Sequence, residues 1–304
     1  MANQNINEEA IIQAVIKALG DLELPGDGSS TAGSGAAVRA GQADRSSVSD
    51  ESLVDIAMIP EEEICLVENP KNKEALMRLK RSTPARTATG RAGDREKTMI
   101  NIRKMANLSA AVDAVWTPLN KEFVGSLGYP VLKSMPSSKE EYLMRPDLGV
   151  LLDDENMNIV RTQLKKNPDV QIVIGEGQSN QGLEKSMPEL LPALLQGLQA
   201  NKIDYGTPCF VEYTRVGIGD LIGQEVGAKV VCVILGERPG LLSWDGLGCY
   251  ITYGPKVGIL ESKRTCVSNI QDNGGTPPAE AGAYISDLIA RILKEQKSGV
   301  DLII

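Results

Sequence analysis

Two short runs, 170–174 and 228–235, constrain this chain more than anything else in it, because nearly every residue in them is apolar. A strand covered on one face alternates apolar with polar residues. A strand covered on both faces reads as a continuous run, the mark of a parallel sheet with helices on each side. Between the runs, 183–198 has apolar residues at helical intervals; after both, 279–296, entered through Pro277 and Pro278, carries Ile285, Leu288, Ile289 and Leu293 along one stripe. The fold predicted for 61–304 is therefore α/β, an open and mainly parallel sheet flanked by helices, Rossmann-like, with a helical lead-in. That lead-in includes a polar helix over 71–80 bearing Leu76 and Leu79.

The stretch ahead of this domain has a different character. Over 5–22, Ile11, Val15, Ala18, Leu19 and Leu22 recur at helical spacing, which predicts an amphipathic helix within 1–24. Gly, Ser, Ala, Asp and Thr then dominate, too poor in large apolar residues to offset chain entropy, so 25–60 is expected to be a flexible linker. A helix on a tether suits a docking peptide, since its apolar face needs a partner surface to become stable. The other reading is a terminus that packs on its own domain.

Several function classes are excluded or disfavoured by composition. A net charge of -8 without a basic run argues against nucleic-acid binding, which requires cations to displace counterions from phosphate. Five cysteines, an odd number without paired short spacings, predict free thiols in a reducing compartment. No apolar stretch approaches the roughly 20 residues of a membrane span, and the start lacks a secretory pattern, so an intracellular, soluble protein is expected. There is no histidine, which removes imidazole-based dyads and triads and the commonest nitrogen ligand for metals. No catalytic residue and no metal ligand is assigned to this chain.

One glycine pattern imitates a dinucleotide site. Gly217, Gly219 and Gly223 follow an expected strand at 210–216, and Glu237 ends the next apolar run. The literal spacing is G-x-G-x-x-x-G, the strand carries Glu212 and Arg215, and the crossover after Gly219 is short for a parallel connection. Arg81, Arg86, Arg91 and Arg95 mark a basic segment without assigned catalytic function, a candidate subunit contact.

Longer segments carry a more specific signal: VENPKNKEALMRLKRSTPARTATGRAG (67–93), YLMRPDLG (142–149), NPDVQIVIGEG (167–177), GAKVVCVILGERPGL (227–241), RTCVSNI (264–270) and GGTPP (274–278). In this order they resemble the small subunit of adenosylcobalamin-dependent ethanolamine ammonia-lyase, over most of the chain from about residue 67. The resemblance implies a heteromeric lyase that converts ethanolamine to acetaldehyde and ammonia by radical chemistry. The large subunit would hold the substrate, and this chain would close over the cofactor, which carries the difficult chemistry. Matching the family's cobalamin contacts motif by motif selects Val216 in YTRVGIGD, Glu237 in GERPG and Cys266 in RTCVSN. Each is expected at or just beyond a strand end, where an open α/β sheet leaves a crevice. The plainer readings of these residues are a core-edge valine, a glutamate paired with Arg238 and a buried structural thiol.

The absence of histidine adds a constraint: the cofactor keeps its own dimethylbenzimidazole as lower ligand unless the large subunit supplies an imidazole. The sequence departs from the family pattern at Glu176, where aspartate is expected, and in the loop of Leu242, Ser243, Trp244 and Asp245. The resemblance also implies that the N-terminal helix docks on a shell or core protein of a bacterial microcompartment. Two other readings stay open, a dinucleotide-binding oxidoreductase and a purely structural assembly subunit.

Overall fold

In the computed structural model, residues 59–303 are described, except 84 and 273. The amphipathic helix and the linker expected at the N-terminus lie outside these residues. At the centre stand two strands from the apolar runs, β4 (Val170–Gly175) and β6 (Val230–Gly236), parallel neighbours with every residue buried. Ahead of them come α1 (Lys73–Arg81), the small ribbon β1 (Arg91–Ala92) and β2 (Arg95–Glu96), α2 (Thr98–Trp116), α3 (Lys121–Ser126), β3 (Val131–Lys133), α4 (Lys139–Met144) and α5 (Asp154–Gln163). After β4 come α6 (Gln181–Ala200), β5 (Cys209–Glu212) and α7 (Ile218–Val226); after β6 come β7 (Leu247–Tyr253), β8 (Arg264–Ile270) and α8 (Pro278–Glu295).

The main sheet has six strands in the order β3-β5-β4-β6-β7-β8, parallel from β3 to β6 and antiparallel at β6–β7 and β7–β8. The α/β prediction holds, and the parallel part is the portion fed by helical crossovers. Because side chains alternate across the pleat, the sheet has two cores. Ile172, Ile174, Phe210, Cys232, Ile234 and Cys249 face α6 and α8. Val173, Val211, Val231, Val233 and Leu235 face α5 and α7. Helices α6 and α8 approach closely where both carry glycine: a Cβ on Gly197 would meet Ser286 Oγ at 2.1 Å, and one on Gly282 would meet the Leu190 carbonyl oxygen at 2.5 Å.

Two differences from the sequence reading have local causes. Strand β5 stops at Glu212, short of 216, because Tyr213 takes a left-handed φ of 57° and turns the chain away. The connection to β6 therefore spans 213–229, long enough for a crossover, and the length objection to a nucleotide-binding unit falls. A different one replaces it: β4 lies between β5 and β6, so they are not the adjacent strands of a dinucleotide-binding turn. The second difference is β7, a strand with no counterpart in the sequence reading.

Candidate functional site

The carboxyl ends of β4 and β5 lead to opposite faces, since α6 lies on one side of the sheet and α7 on the other. Such a switch point opens a crevice, as expected for an open α/β sheet. Glu176 sits there, buried, and accepts from Lys139 Nζ (3.3 Å), Asn180 Nδ2 (3.1 Å) and the Tyr213 N–H (3.0 Å). Burial holds the Lys139 ammonium below its ordinary pKa, against the opposing pull of Glu176. Tyr142 is fully buried beside them, donating its hydroxyl to the Thr214 carbonyl at 2.8 Å under the Arg215 guanidinium. Trp116, Thr117, Lys139, Glu176, Glu212 and Tyr213 line a cleft of about 440 Å3 at this edge.

Val216, Glu237 and Cys266 all belong to the other side. Val216 is half-buried in the turn before α7 and packs on the core that faces this helix. Glu237 immediately follows β6, as expected. Cys266 does not end a strand: it is the third residue of β8, paired with Tyr250 of β7, which in turn pairs with Val233 of β6. Residues directly opposite in a ladder share a face, so Cys266 and Tyr250 continue the α7 side of the sheet past the helix. Cys266 is exposed there, which removes the reading of a buried structural thiol.

Glu237 lies over the same ground. Its Oε1 accepts from the Tyr250 hydroxyl at 3.4 Å and its Oε2 from the Asn269 N–H at 3.3 Å, so a phenol and a backbone amide hold it. A Cβ on Gly248 would stand 2.4 Å from Glu237 Oε1 and 2.9 Å from a Tyr250 ring carbon; only glycine lets the carboxylate lie down on β7. Partial desolvation first and the Glu237 charge second push the Cys266 thiol above its usual pKa, against a hydrogen bond from Tyr250. Desolvation first, then Cys266 and Glu237, also raises the Tyr250 phenol.

Arg264 fixes this surface to α7. Its Nη1 and Nη2 donate to Asp220 Oδ1 (2.9 Å) and Oδ2 (2.7 Å), and both side chains are almost wholly buried. The glycines that imitated a nucleotide motif serve the same contact: a Cβ on Gly219 would lie 2.3 Å from Val233 Cγ2, and one on Gly223 would lie 2.7 Å from Pro255 Cγ. They let α7 sit close to the sheet. The loop of Leu242, Ser243, Trp244 and Asp245 is tied to the far side, where the Trp244 carbonyl accepts from Ser179 Oγ at 2.9 Å and Asp245 pairs with Lys185 at 2.7 Å.

Of the four arginines, Arg81 ends α1, Arg91 and Arg95 lie on the exposed β1–β2 ribbon, and Arg86 has Nε and Nη2 buried without a hydrogen-bond partner among the described residues. All five cysteines are free, and Cys232 and Cys249 touch at 3.3 Å between their sulfurs. No cluster of three metal-ligating side chains occurs among the described residues, and no helix among them is long and apolar enough to cross a membrane.

Sequence reasoning missed Tyr250, Gly248, Asn269 and the Asp220–Arg264 pair. The alternation in LGCYITY was the available signal for the strand that carries two of them.

An open α/β domain with a half-exposed polar and thiol-bearing surface beside the carboxyl edge of its sheet is the class defined by this geometry. Residues 73–303 match the family model of the ethanolamine ammonia-lyase light chain. Proteins described as the ethanolamine ammonia-lyase small subunit are similar over most of their length. That of Clostridium perfringens is 42% identical over 254 residues, covering 84% of this chain and 86% of its own. That of Lachnoclostridium phytofermentans is 38% identical over 280 residues, 92% and 94% of the two chains. That of Listeria monocytogenes is 40% identical over 255 residues, 84% and 87%. The chain belongs to the ethanolamine ammonia-lyase small-subunit family.

Proposed function

We propose that this chain is the cofactor-closing subunit of an adenosylcobalamin-dependent lyase that converts ethanolamine to acetaldehyde and ammonia, active only with its large subunit. The observation that carries the reading is Glu237 laid across Gly248 beside exposed Cys266, on the side of the sheet where Val216 packs. A corrinoid rim is fringed with amides and apolar edges. A carboxylate held by two long hydrogen bonds keeps lone pairs free for amide N–H groups, and Val216 offers apolar contact. The small Cys266 side chain can pack against the ring edge. The residues fit the group. When bound, adenosylcobalamin supplies radical chemistry through homolysis of its cobalt–carbon bond. The work of this chain is to orient the ring and shield it from water.

Membership in the small-subunit family supports a large-subunit partner. The N-terminal segment is the proposed attachment to a microcompartment shell or core protein. Deleting 1–22 should leave deamination intact and abolish encapsulation; an encapsulated truncated enzyme would overturn that assignment.

Deamination with added adenosylcobalamin tests the main reading. This chain alone and the large subunit alone should be inactive, and the mixture active. An inactive mixture of folded subunits would defeat it. Cofactor affinity unchanged on replacing both Glu237 and Cys266 by alanine would favour a purely structural subunit instead.

A further inference from the structure

Helix α2 is apolar on two opposite sides. Ile100, Ala111 and Ala114 are buried on its inner side, where Arg103 also bonds Glu61 at 3.3 Å. On the outer side Ile102, Met105, Leu108, Val112 and Trp116 recur at steps of three and four residues, which places them on one stripe. Their exposures are 49%, 59%, 49%, 48% and 50%, so about half of each side chain is left uncovered by the described residues. Single exposed apolar residues are ordinary, but a continuous stripe along a helix is the pattern of a face made to be covered. The helix also has no acidic residue in its first turn and no basic residue in its last, leaving its dipole uncompensated. An antiparallel helical neighbour would supply that compensation.

We infer that the stripe formed by Ile102, Met105, Leu108, Val112 and Trp116 is a docking surface for an apolar, helical face of the large subunit. This rests on the proposed function, and the place where the stripe ends is what selects the large subunit. Trp116 lines the cleft with Glu176 and Tyr213 at the carboxyl ends of β4 and β5. The turn bearing Val216 and the start of the loop bearing Glu237 leave the sheet from this same edge. A subunit that shares a cofactor with those residues has to come down on that edge, and the stripe runs to it. A second copy of this chain seated there would occupy the approach.

Binding of the full chain to its cognate large subunit, with adenosylcobalamin present, tests this. If the unaltered chain does not bind, the functional reading itself fails, and the docking assignment with it. If it binds, the triple variant M105Q/L108Q/V112Q should bind at least ~10-fold more weakly. Its circular dichroism and Tm should match the parent's, because the three sites are exposed and glutamine is a good helix former. Met105→Gln and Val112→Gln singly serve if the triple variant misfolds. Leu260→Gln, at another exposed apolar site, should bind like the parent. Parental affinity in the stripe variants, equal weakening by Leu260→Gln, or a change confined to self-association would overturn the assignment. A fall in Tm of the isolated triple variant with normal large-subunit binding would overturn it too, by showing that the stripe is covered within the chain.

Discussion

The Tyr250 hydroxyl reaches Glu237 Oε1 across 3.4 Å, tying the carboxylate that follows β6 to the middle of β7. Both groups act on Cys266 of the next strand. Desolvation is the larger cause of its raised pKa and the Glu237 charge the second. Removing the charge makes the thiolate easier to form. Glu237→Gln should therefore speed alkylation of Cys266 by iodoacetamide near pH 8, where the thiolate fraction controls the rate. Peptide mapping separates Cys266 from half-buried Cys65, while the other three thiols are buried. An unchanged rate would mean that the carboxylate does not sense the thiol.

Gly248 tests the position of the carboxylate rather than its charge. Alanine there brings a methyl group within 2.4 Å of Oε1 and 2.9 Å of Cγ of Glu237, so that side chain must lift from β7. Losing hydrogen bonds to a charged group costs about 1.5–3 kcal/mol. Gly248→Ala should weaken adenosylcobalamin binding by the assembled enzyme roughly 10- to 100-fold, a range converted at about 1.4 kcal/mol per decade. Equilibrium titration of the cofactor reads it out, and a parental affinity would detach Glu237 from cofactor binding.

Alkali should act through three phenols, one of them fully buried. Tyr142, Tyr213 and Tyr250 all have raised pKa values, with desolvation the largest cause in each. A group whose folded pKa exceeds its unfolded value gives its full stabilisation below the unfolded pKa, about 10 for tyrosine, and loses it as pH rises through the folded one. Tm of the chain should thus decline above pH 10. Tyr142→Phe should make the decline shallower, while lowering Tm at pH 8 by removing the 2.8 Å bond to the Thr214 carbonyl. An identical slope in the variant would exclude Tyr142 as a source.

The core strands were legible because burial on both faces leaves Gln171 as the one polar side chain in β4 and β6, and helices α6 and α8 because their stripes are long. Strand β7 was harder to read. Leu247, Cys249 and Ile251 alternate on one face, but Gly248 leaves a gap on the other, and the reason for that glycine is Glu237, eleven residues earlier, which no local pattern reveals. Val216, Glu237 and Cys266 could be selected only through family motifs. What places Glu237 and Cys266 together is the register of β6, β7 and β8, a long-range fact. The glycines of α7 imitated a nucleotide motif for the same reason: close helix–sheet packing and close phosphate approach both require a missing Cβ, and the strand order separates them.

Arg264 and Asp220 are the last long-range pair, and they set how α7, with Val216 at its entrance, stands against β8. The guanidinium donates two bonds to Asp220 and a third, at 3.2 Å, to Thr252 Oγ1; Nε and Nη2 also reach Glu261. The two carboxylates are not equivalent. Asp220 and Arg264 have side chains only 5% and 4% exposed, whereas Glu261 is 79% exposed. Removing one partner of a buried pair costs about 3–5 kcal/mol, because the other charge stays buried without compensation. An exposed partner contributes about 0–1 kcal/mol. Asp220→Asn keeps the shape and loses the charge, and with Glu261 still present its cost should fall near ~3 kcal/mol. At roughly 2–4 °C per kcal/mol, thermal melts should show Tm lower by about 6–12 °C, against about 0–4 °C for Glu261→Gln. The assembled enzyme should also bind adenosylcobalamin more weakly in Asp220→Asn than in Glu261→Gln, since only the first loosens α7, with Val216 at its entrance, from β8. Equal melting shifts in the two variants would show that the buried pair does not clamp α7 to the sheet.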